Sequence, residues 1–356
     1  MPHSISINKA ADSKAKQIDI NQVPMGIHFT DHMFVCDFSD GIWQNARIEP
    51  LSPIPTHPSA MALHYGQAIF EGLKATMGKD ETPVLFRPEE NARRLNESAR
   101  RMGMPDFPEE LFVDALKQLV WMERAWVPTA EGSALYLRPF MYADEAFTGM
   151  RAATHYKFII FATPAGPYFS KRIRLFAETQ YIRAAAGGTG EAKAAGNYAA
   201  AIKPTELAKK NGYDQVLWLD AKNFENILEV GTMNIFFKIE GKFITPKLDG
   251  TVLAGVTRSS VIHLLRHWNF EVEERSVSIR EIAEAQKNGT LEEGFGTGTA
   301  VGIALIDEIT WDGNTIKFPI ENPIGNRIND FLNALKTEHV KDDFGWVCST
   351  HPSVEA

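Results

Sequence analysis

One lysine near the middle of the chain stands among small residues. Lys193 follows a stretch rich in glycine, alanine and threonine that begins at Gly187, and Tyr198 comes five positions after it. A lysine amine becomes a covalent catalyst when it condenses with an aldehyde, and pyridoxal phosphate is the usual aldehyde. Small neighbours would leave room for a flat ring against the backbone. A glycine-rich loop with a solvated lysine is the alternative that this stretch alone leaves open.

A glutamate farther along the chain precedes a tight glycine turn. Glu229 lies two residues before Gly231, and an apolar run that predicts a strand follows. A buried carboxylate needs a cationic or donating partner, and the protonated pyridine nitrogen of pyridoxal phosphate is such a partner. That pairing keeps the ring charged, so the ring draws electrons from the substrate α-carbon. A glutamate at a strand edge, facing solvent, is the alternative.

Two glycine-containing segments could bind a phosphate. Gly255 leads into a helix predicted over residues 257–268, and the first turn of a helix exposes free N–H groups at its positive end. The loop at residues 295–300 carries amides and hydroxyls that could bind phosphate or carboxylate. An ordinary N-cap at Thr257 or Ser259, and a plain tight turn in the loop, are the alternatives.

Arginines and tyrosines in the first half of the chain are further candidates. Four arginines, among them Arg94, lie on a helix predicted from Pro88 to about Met102, and one of them could bind phosphate through a charge-assisted fork. Tyr136 and Arg138 share one face of a predicted strand, because side chains two positions apart point the same way. A solvated helix face and core tyrosines are the alternatives.

Sequence patterns also predict the elements that position these residues. Strands and helices do not alternate regularly as in a doubly wound sheet, so the fold class is mixed α/β (α+β) in two halves. The predicted elements are strands at residues 31–38, 134–140, 156–163 and 215–219, hairpin turns at Asp40-Gly41 and Glu240-Gly241, and helices at residues 88–102, after Pro108, at 199–210 and at 257–268.

The composition limits the class of protein. A length of 356 residues suggests two domains, and a net charge of -8 argues against nucleic acid or an anionic membrane as partner. Cys36 and Cys348 lack metal-ligand spacing, so we expect no metal site and a reducing compartment. No apolar run approaches the roughly 18 residues of a membrane span, and no secretory signal is apparent. The expected location is therefore cytoplasmic.

In this order, the motifs resemble the branched-chain amino acid aminotransferase family of pyridoxal-phosphate fold type IV. The similarity extends from residue 29 to residue 346, nearly the whole chain. The motifs that carry it are His64-Tyr65, Phe70-Glu71-Gly72, Leu85-Phe86-Arg87-Pro88, Lys193 with Gly196-Asn197-Tyr198, residues 229–234, residues 255–258 and Gly298-Thr299-Ala300.

The resemblance implies a role for each candidate around pyridoxal 5'-phosphate. Lys193 would form a Schiff base with it and then move a proton between the substrate α-carbon and the cofactor C4′. Tyr198 would hydrogen-bond the ring O3′, Glu229 the ring nitrogen, and Thr232 would support the ring. The implied phosphate ligands are Arg94, the backbone groups of Val256 and Thr257, and the Thr299 hydroxyl.

The resemblance also assigns the substrate pocket. The amides of Thr299 and Ala300, with Tyr65, would hold the substrate carboxylate, and Arg138 would help to bind the acidic co-substrate. The residues implied for the wall of the side-chain pocket are Phe70, Tyr136, Met25 and Phe29.

The architecture and the reaction follow from the same resemblance. Residues 1–166 would form a small N-terminal domain, residues 167–180 a linker, and residues 181–356 a large domain carrying the lysine, in a D-amino acid aminotransferase-like fold. The Pro- and Gly-rich composition around residue 166 supports the linker. The implied enzyme is a homodimer with its site at the domain interface. It transfers the amino group of L-leucine, L-isoleucine or L-valine to 2-oxoglutarate, giving 2-oxo acids and L-glutamate.

Other assignments stay open. Fold type IV also contains D-amino acid aminotransferases and aminodeoxychorismate lyases, and a non-catalytic pyridoxal-phosphate carrier is a further alternative. Val301 and Ala304 stand where animal members carry a cysteine pair, which with the missing transit peptide favours a bacterial source. Leu305 replaces a proline usual in the family, so the backbone just past the carboxylate loop could follow a different path.

Overall fold

The structure is a computed structural model that describes residues 4–166 and 171–352. These residues form two compact units: the first contains the residues up to 166 with 193–195 and 333–352, and the second contains 171–192 and 196–332. The helices and strands are β1 (Ser6–Ile7), β2 (His32–Ser39), β3 (Ile42–Pro50), α1 (Met61–Tyr65), β4 (Ala68–Phe70), β5 (Leu73–Met77), β6 (Pro83–Phe86), α2 (Pro88–Arg101), α3 (Glu109–Met122), β7 (Ala134–Ala143), β8 (Tyr156–Ala165), β9 (Ile173–Glu178), α4 (Ala195–Lys210), β10 (Gln215–Leu219), β11 (Ile227–Val230), β12 (Asn234–Ile239), β13 (Lys242–Thr245), α5 (Val256–His267), β14 (Val272–Glu274), α6 (Ile279–Lys287), β15 (Leu291–Gly298), β16 (Gly302–Trp311), β17 (Asn314–Lys317), α7 (Pro323–Lys336) and β18 (Val347–Ser349).

The first unit is built on a largely antiparallel sheet. The strand order is β1-β3-β2-β8-β7-β5-β6-β18, and β4 pairs with β7. The predicted hairpin is confirmed: β2 and β3 pair across Asp40 and Gly41, which both have positive φ, as a two-residue hairpin turn requires. Both predicted helices of this half are also confirmed. The buried face of α3 is Leu111, Phe112, Ala115, Leu116, Leu119 and Val120.

The second unit contains a mixed sheet. Its strand order is β11-β10-β9-β16-β15-β12-β13-β14, with β17 on β16. The ladders of β9 with β10 and with β16 are parallel, whereas β12, β15 and β16 pair antiparallel. The predicted hairpin of β12 and β13 turns at Glu240-Gly241, as expected. Aliphatic and aromatic side chains such as Leu217, Ile235 and Ile306 form the core of this unit.

Two predictions differ from the structure. Helix α4 begins at Ala195, whereas the sequence predicted a start at 199. Gly196 is a poor helix residue, so the sequence pattern placed the start after it. In the linker predicted over residues 167–180, residues 167–170 lie outside the described residues, and Ile173–Glu178 form β9 inside the second sheet. Among the described residues, no helix has the length and apolarity needed to cross a membrane.

Candidate active site

In the first unit, Lys193 is held by hydrogen bonds of its own backbone. Its N–H donates to Ser98 Oγ at 2.9 Å, and its carbonyl accepts from the Phe70 N–H at 3.1 Å. The Lys193 Nζ lies 4.8 Å from the centre of the Phe70 ring, and the residue is half-buried. The Lys193 backbone is therefore fixed to α2 and β4.

Arg94 lies one helical turn before Ser98 and is paired with a carboxylate that the sequence analysis did not assign. Its Nε and Nη2 each donate to Glu71, at 2.8 Å, in a two-pronged ion pair. Glu71 is fully buried and also accepts from Asn91 Nδ2 at 2.7 Å. The only sequence signal for a role of Glu71 was its place in the Phe-Glu-Gly motif. Glu71 therefore fixes the orientation of the predicted phosphate ligand.

The electrostatics of Glu71 reflect this cluster. Burial acts to raise the pKa of the Glu71 carboxyl, but the charge and hydrogen bonds of Arg94, with the charge of Lys193, hold that pKa below its usual value. Glu71 is therefore ionised at neutral pH. Together Lys193, Arg94 and Glu71 carry one net positive charge, which suits an anionic ligand.

Arg138, Tyr136 and Phe70 form a second cluster in the first unit. The Arg138 guanidinium carbon lies 4.7 Å from the Phe70 ring centre, and its Nη2 lies 3.2 Å from the Tyr136 hydroxyl. The Arg138 Nε is buried and has no hydrogen-bond partner among the described residues. A buried donor without a partner is costly unless a ligand receives it, so this guanidinium fits an incoming carboxylate.

Gly72 is required beside this cluster. A Cβ at Gly72 would lie 2.1 Å from the Tyr136 hydroxyl oxygen, far inside van der Waals contact. Only glycine at this position therefore allows the tyrosine hydroxyl to reach Arg138.

The segment before β2 crosses the same sheet face. The Gly26 N–H donates to Thr163 Oγ1 at 3.0 Å, and Thr163 is the cross-strand partner of Tyr136. The centres of the Phe29 and Phe161 rings lie 5.6 Å apart. Phe161 is the cross-strand partner of Arg138. Phe29, and Met25 beside Gly26, are thus placed on the face where a pocket wall was expected.

Tyr65, a further predicted substrate residue, lies at the end of a short helix. It ends α1 with 43% of its surface exposed, and its ring contacts His64. The role of Tyr65 at the substrate carboxylate therefore stays a prediction.

In the second unit, Glu229 is buried rather than solvent-facing. Its Oε2 accepts from Arg183 Nε at 2.8 Å, and its Oε1 accepts from the Leu253 N–H at 2.6 Å. Arg183 was not predicted, and its only sequence signal is its place just before the run of small residues. Its Nη1 donates to the Thr251 carbonyl at 2.7 Å. An arginine opposite a carboxylate favours the charged form, which a protonated ring nitrogen would need.

The beginning of α5 has no side-chain cap. Val256 and Thr257 are its first two residues and are both buried. The N-cap is Gly255, with no side-chain cap hydrogen bond, so the alternative of Thr257 or Ser259 as N-cap is wrong. A Cβ at Gly255 would lie 2.0 Å from Asn234 Oδ1. First-turn N–H groups without a side-chain cap suit a phosphate.

The remaining predicted residues of the second unit lie at the ends of elements. Thr299 and Ala300 follow β15 in the turn to β16, and the Thr232 backbone approaches Gly298 in that hairpin. Tyr198 lies in the first turn of α4 and is half-buried. The hydroxyl of Thr297, two residues before Thr299, is buried without a hydrogen-bond partner among the described residues. An unsatisfied hydroxyl beside this turn is consistent with a polar ligand there.

Leu305 does not disturb the backbone after this turn. It pairs with Phe295 in the regular antiparallel ladder of β15 and β16, and β16 runs without interruption from Gly302. The different backbone path considered for Leu305 is therefore absent from this hairpin.

Sequence comparison identifies related proteins. The sequence profile of the family Amino-transferase class IV matches residues 68–309. The chain is 45% identical over 342 residues to branched-chain-amino-acid aminotransferase 2 of Bacillus subtilis (strain 168), covering 94% of each chain. It is 39% identical over 353 residues to the branched-chain-amino-acid aminotransferase of Mycobacterium tuberculosis (strain CDC 1551 / Oshkosh), covering 96% of each.

Solved structures show the same fold. The branched-chain aminotransferase of the archaeon Thermoproteus uzoniensis, solved with norvaline, superposes with a TM-score of 0.75 at 25% identity, over 90% of this chain and 100% of that one. The branched-chain amino acid aminotransferase of Thermobaculum terrenum, solved in its PLP-form, gives a TM-score of 0.72 at 25% identity, over 90% and 98%.

Proposed function

Because the chain belongs to the branched-chain amino acid aminotransferases of the class IV aminotransferase family, we propose that it transaminates branched-chain amino acids. L-Leucine, L-isoleucine or L-valine would donate the amino group to 2-oxoglutarate, giving the branched 2-oxo acid and L-glutamate. The supporting observations are the names of relatives that are 39% and 45% identical over nearly the whole chain. A homodimer, a cytoplasmic location and the predicted extents of the two domains stay predictions, whereas β9 occupies part of the predicted linker.

We propose pyridoxal 5'-phosphate as the cofactor. A relative solved in its PLP-form shares the fold, and the residues of this chain supply each kind of group that such a cofactor needs. When bound, it supplies an electron sink that stabilises negative charge at the substrate α-carbon. Lys193 would hold it covalently and then carry a proton between the α-carbon and the cofactor C4′. The Lys193 amine suits this work because its backbone is anchored and its side chain is only half-buried.

The other residues would bind and orient this group. Glu229, held by Arg183, would accept a hydrogen bond from the ring nitrogen, and Tyr198 would donate to the ring oxygen O3′. Thr232 would support the ring. The residues proposed for the phosphate are Arg94, Thr299 and the first-turn amides of Val256 and Thr257.

One pocket must accept the apolar side chain of the branched-chain substrate and, in the other half-reaction, the side-chain carboxylate of the acidic co-substrate. Phe70 and Tyr136 supply aromatic surface, while the Arg138 guanidinium has an unused buried donor for the carboxylate. The main support for an acidic co-substrate is this buried Arg138 Nε, which has no hydrogen-bond partner among the described residues and belongs to a guanidinium beside the Phe70 ring. The residues proposed to complete the pocket are Met25, Phe29, Tyr65, Thr299 and Ala300.

A product assay tests the proposal. The purified protein is incubated with pyridoxal phosphate, 2-oxoglutarate and L-leucine, and 4-methyl-2-oxopentanoate and glutamate are measured. Equal amounts of the two products are expected. Activity with D-alanine but none with L-leucine would favour a D-amino acid aminotransferase, and pyruvate released from aminodeoxychorismate would favour the lyase. A protein that binds the cofactor and turns over none of these substrates would be a carrier.

A further inference from the structure

The chain before β2 forms a strap in which almost no residue is buried. We define the N-terminal strap as residues 10–30. Among residues 4–29, Ala15 is the only one that is buried, and the proposed wall residues Met25 and Phe29 are both exposed. Burial of apolar side chains therefore contributes little to holding this segment, and polar contacts must fix its path.

A buried carboxylate just before β2 binds the first part of the strap. Asp31 Oδ1 accepts from the Lys14 N–H at 3.0 Å, and Asp31 Oδ2 accepts from the Ser13 hydroxyl at 2.7 Å. Oδ2 also accepts from Trp126 Nε1 at 2.8 Å, which ties the carboxylate to the body of the first unit. Burial acts to raise the pKa of the Asp31 carboxyl, but these hydrogen bonds hold that pKa below its usual value, so the group is ionised at neutral pH.

The histidine that follows adds a second contact to the strap. His32 Nε2 accepts from the Ala10 N–H at 2.8 Å, since a backbone amide can only donate. The other ring nitrogen, Nδ1, therefore carries the proton and donates it to Glu123 Oε1. Glu123 is buried, and its Oε2 accepts from the Asp31 N–H at 3.2 Å. Asp31, His32 and Glu123 thus form one hydrogen-bonded group that holds residues 10–14.

The last part of the strap lies along β8. The Gly26 N–H donates to Thr163 Oγ1 at 3.0 Å, and the Thr30 N–H donates to the Ala162 carbonyl at 3.0 Å. Phe29 lies between these two anchors, and Met25 precedes the first.

The contacts at Asp31 close the strap into a loop. Residues 13 and 14 bind the Asp31 carboxylate, so residues 15–30 begin and end at the same side chain. Closing a loop removes many of the conformations that its residues would otherwise adopt. Opening it at Asp31 therefore gives Met25 and Phe29 more conformations, although neither residue contacts Asp31 through a hydrogen bond.

We propose that Asp31 is a positioning residue that determines how closely the pocket fits a branched side chain, acting through the N-terminal strap. The inference rests on the proposed function, in which Met25 and Phe29 form part of the pocket wall. A long apolar side chain gains binding free energy from a wall held in one place, because less order is lost on binding. A short side chain that does not reach the wall gains nothing. Loss of the Asp31 contacts therefore lowers the discrimination between L-leucine and L-2-aminobutyrate.

Steady-state kinetics of Asp31→Asn test this inference. An asparagine offers one acceptor oxygen where three donors converge on a carboxylate, so the loop is no longer held closed. The ratio of kcat/KM for L-leucine to that for L-2-aminobutyrate is expected to fall about tenfold. The fall should come from KM for L-leucine, with its kcat changed less than about twofold. Ser13→Ala, which keeps the buried carboxylate, should lower the ratio less, and Ser13→Thr, which keeps the hydroxyl, should retain the wild-type ratio.

Two controls separate positioning from other effects. Asp12→Asn removes an exposed carboxylate from the strap itself and should keep the wild-type ratio. Ile282→Val removes a methyl group from the core of the second unit, so it lowers stability and should also keep the ratio. If the ratio falls as far in Ile282→Val as in Asp31→Asn, Asp31 acts only through general stability and the inference is overturned.

Hydrogen exchange followed by mass spectrometry measures the strap independently of catalysis. In the holoenzyme, the amides of residues 10–30 are expected to exchange about tenfold faster in Asp31→Asn than in the wild type. Faster exchange with an unchanged substrate ratio, or unchanged exchange in the strap, overturns the inference. A wild-type protein that transaminates neither L-leucine nor L-2-aminobutyrate refutes the proposed function instead, before any variant is compared.

Discussion

At the residue scale, two buried ion pairs determine what the candidate site can do. Glu71 fixes Arg94 in the first unit, and Arg183 fixes Glu229 in the second. Each pair gives a charged group one orientation in a poorly solvated place, and breaking such a pair leaves an uncompensated charge. The two pairs therefore hold the groups proposed for the cofactor phosphate and ring nitrogen in position before any ligand binds.

Replacing Glu71 tests the first pair. In Glu71→Gln the shape is kept but Arg94 loses its charged partner, so we expect the free energy of unfolding to fall by about 3–5 kcal/mol. Thermal and denaturant unfolding measure the change. Glu97→Gln, on the exposed face of α2, is the control. If the two variants are equally stable, Glu71 does not hold Arg94.

Replacing Arg183 tests the second pair. Arg183→Lys keeps the charge but loses the fork that links Glu229 and Thr251, so Glu229 is expected to be less well oriented. Pyridoxal phosphate should then dissociate about tenfold more readily, as measured by spectroscopic titration of the apoprotein. Arg280→Lys, an exposed change in the same unit, should match the wild type. Unchanged cofactor affinity in Arg183→Lys would contradict this role.

These two ion pairs show which contacts the sequence could not predict. Lys193, Arg94 and Glu229 were found because their motifs are short and local, and the resemblance to a family chose Arg94 among four arginines. Arg183 and Glu71 were missed as partners because each pairs with a residue more than 20 positions away, and only the fold brings such residues together. Their roles as cofactor ligands stay predictions.

At the element scale, local chemistry explains what was predicted. Proline and two acidic residues begin α2, and the Asp-Gly and Glu-Gly pairs turn the two hairpins, so these elements were predicted close to their observed bounds. The start of α4 was missed because Gly196 opposes helix, and β9 was missed because its segment follows a stretch rich in turn residues. For β9, pairing with β10 on one side and β16 on the other outweighs local preference.

Gly255→Ala tests the beginning of α5. The new methyl group would meet Asn234 Oδ1, so the first turn must shift, at a cost of about 1–3 kcal/mol. We expect lower thermal stability together with weaker binding of pyridoxal phosphate. Gly166→Ala, where the added methyl group would meet nothing within 4 Å and φ is not positive, controls for loss of a glycine. A variant with wild-type cofactor affinity would argue against a phosphate at this helix end.

The amine at the end of α7 makes stability depend on pH. The folded-state pKa of Lys336 is about 7, below its usual 10.5, so the unfolded state binds more protons between these values and stability rises with pH across this window. Lys336→Met removes the penalty and should raise Tm by about 2 °C or more at pH 7. The gain should shrink toward pH 10. A gain that is constant with pH, measured by thermal unfolding, would contradict a buried amine.

At the scale of the whole molecule, each unit carries a different kind of group. The first supplies an anchored amine and a guanidinium with an unused donor, and the second supplies a buried carboxylate and a helix N-terminus without a side-chain cap. Sequence patterns predicted two halves of mixed α and β, but not the two sheets. Strand order depends on pairings such as β6 with β18, which are far apart in the chain and leave no local signal.

The most direct test of the central claim is the visible absorption spectrum of the purified protein with pyridoxal phosphate. Spectra are recorded before and after L-leucine and, separately, D-alanine, for the wild type, Lys193→Ala and the exposed control Lys209→Ala. The account predicts a yellow wild type and control that L-leucine alone bleaches, and a Lys193→Ala protein that shows no bleaching. A colourless wild type that added pyridoxal phosphate does not change would contradict the account.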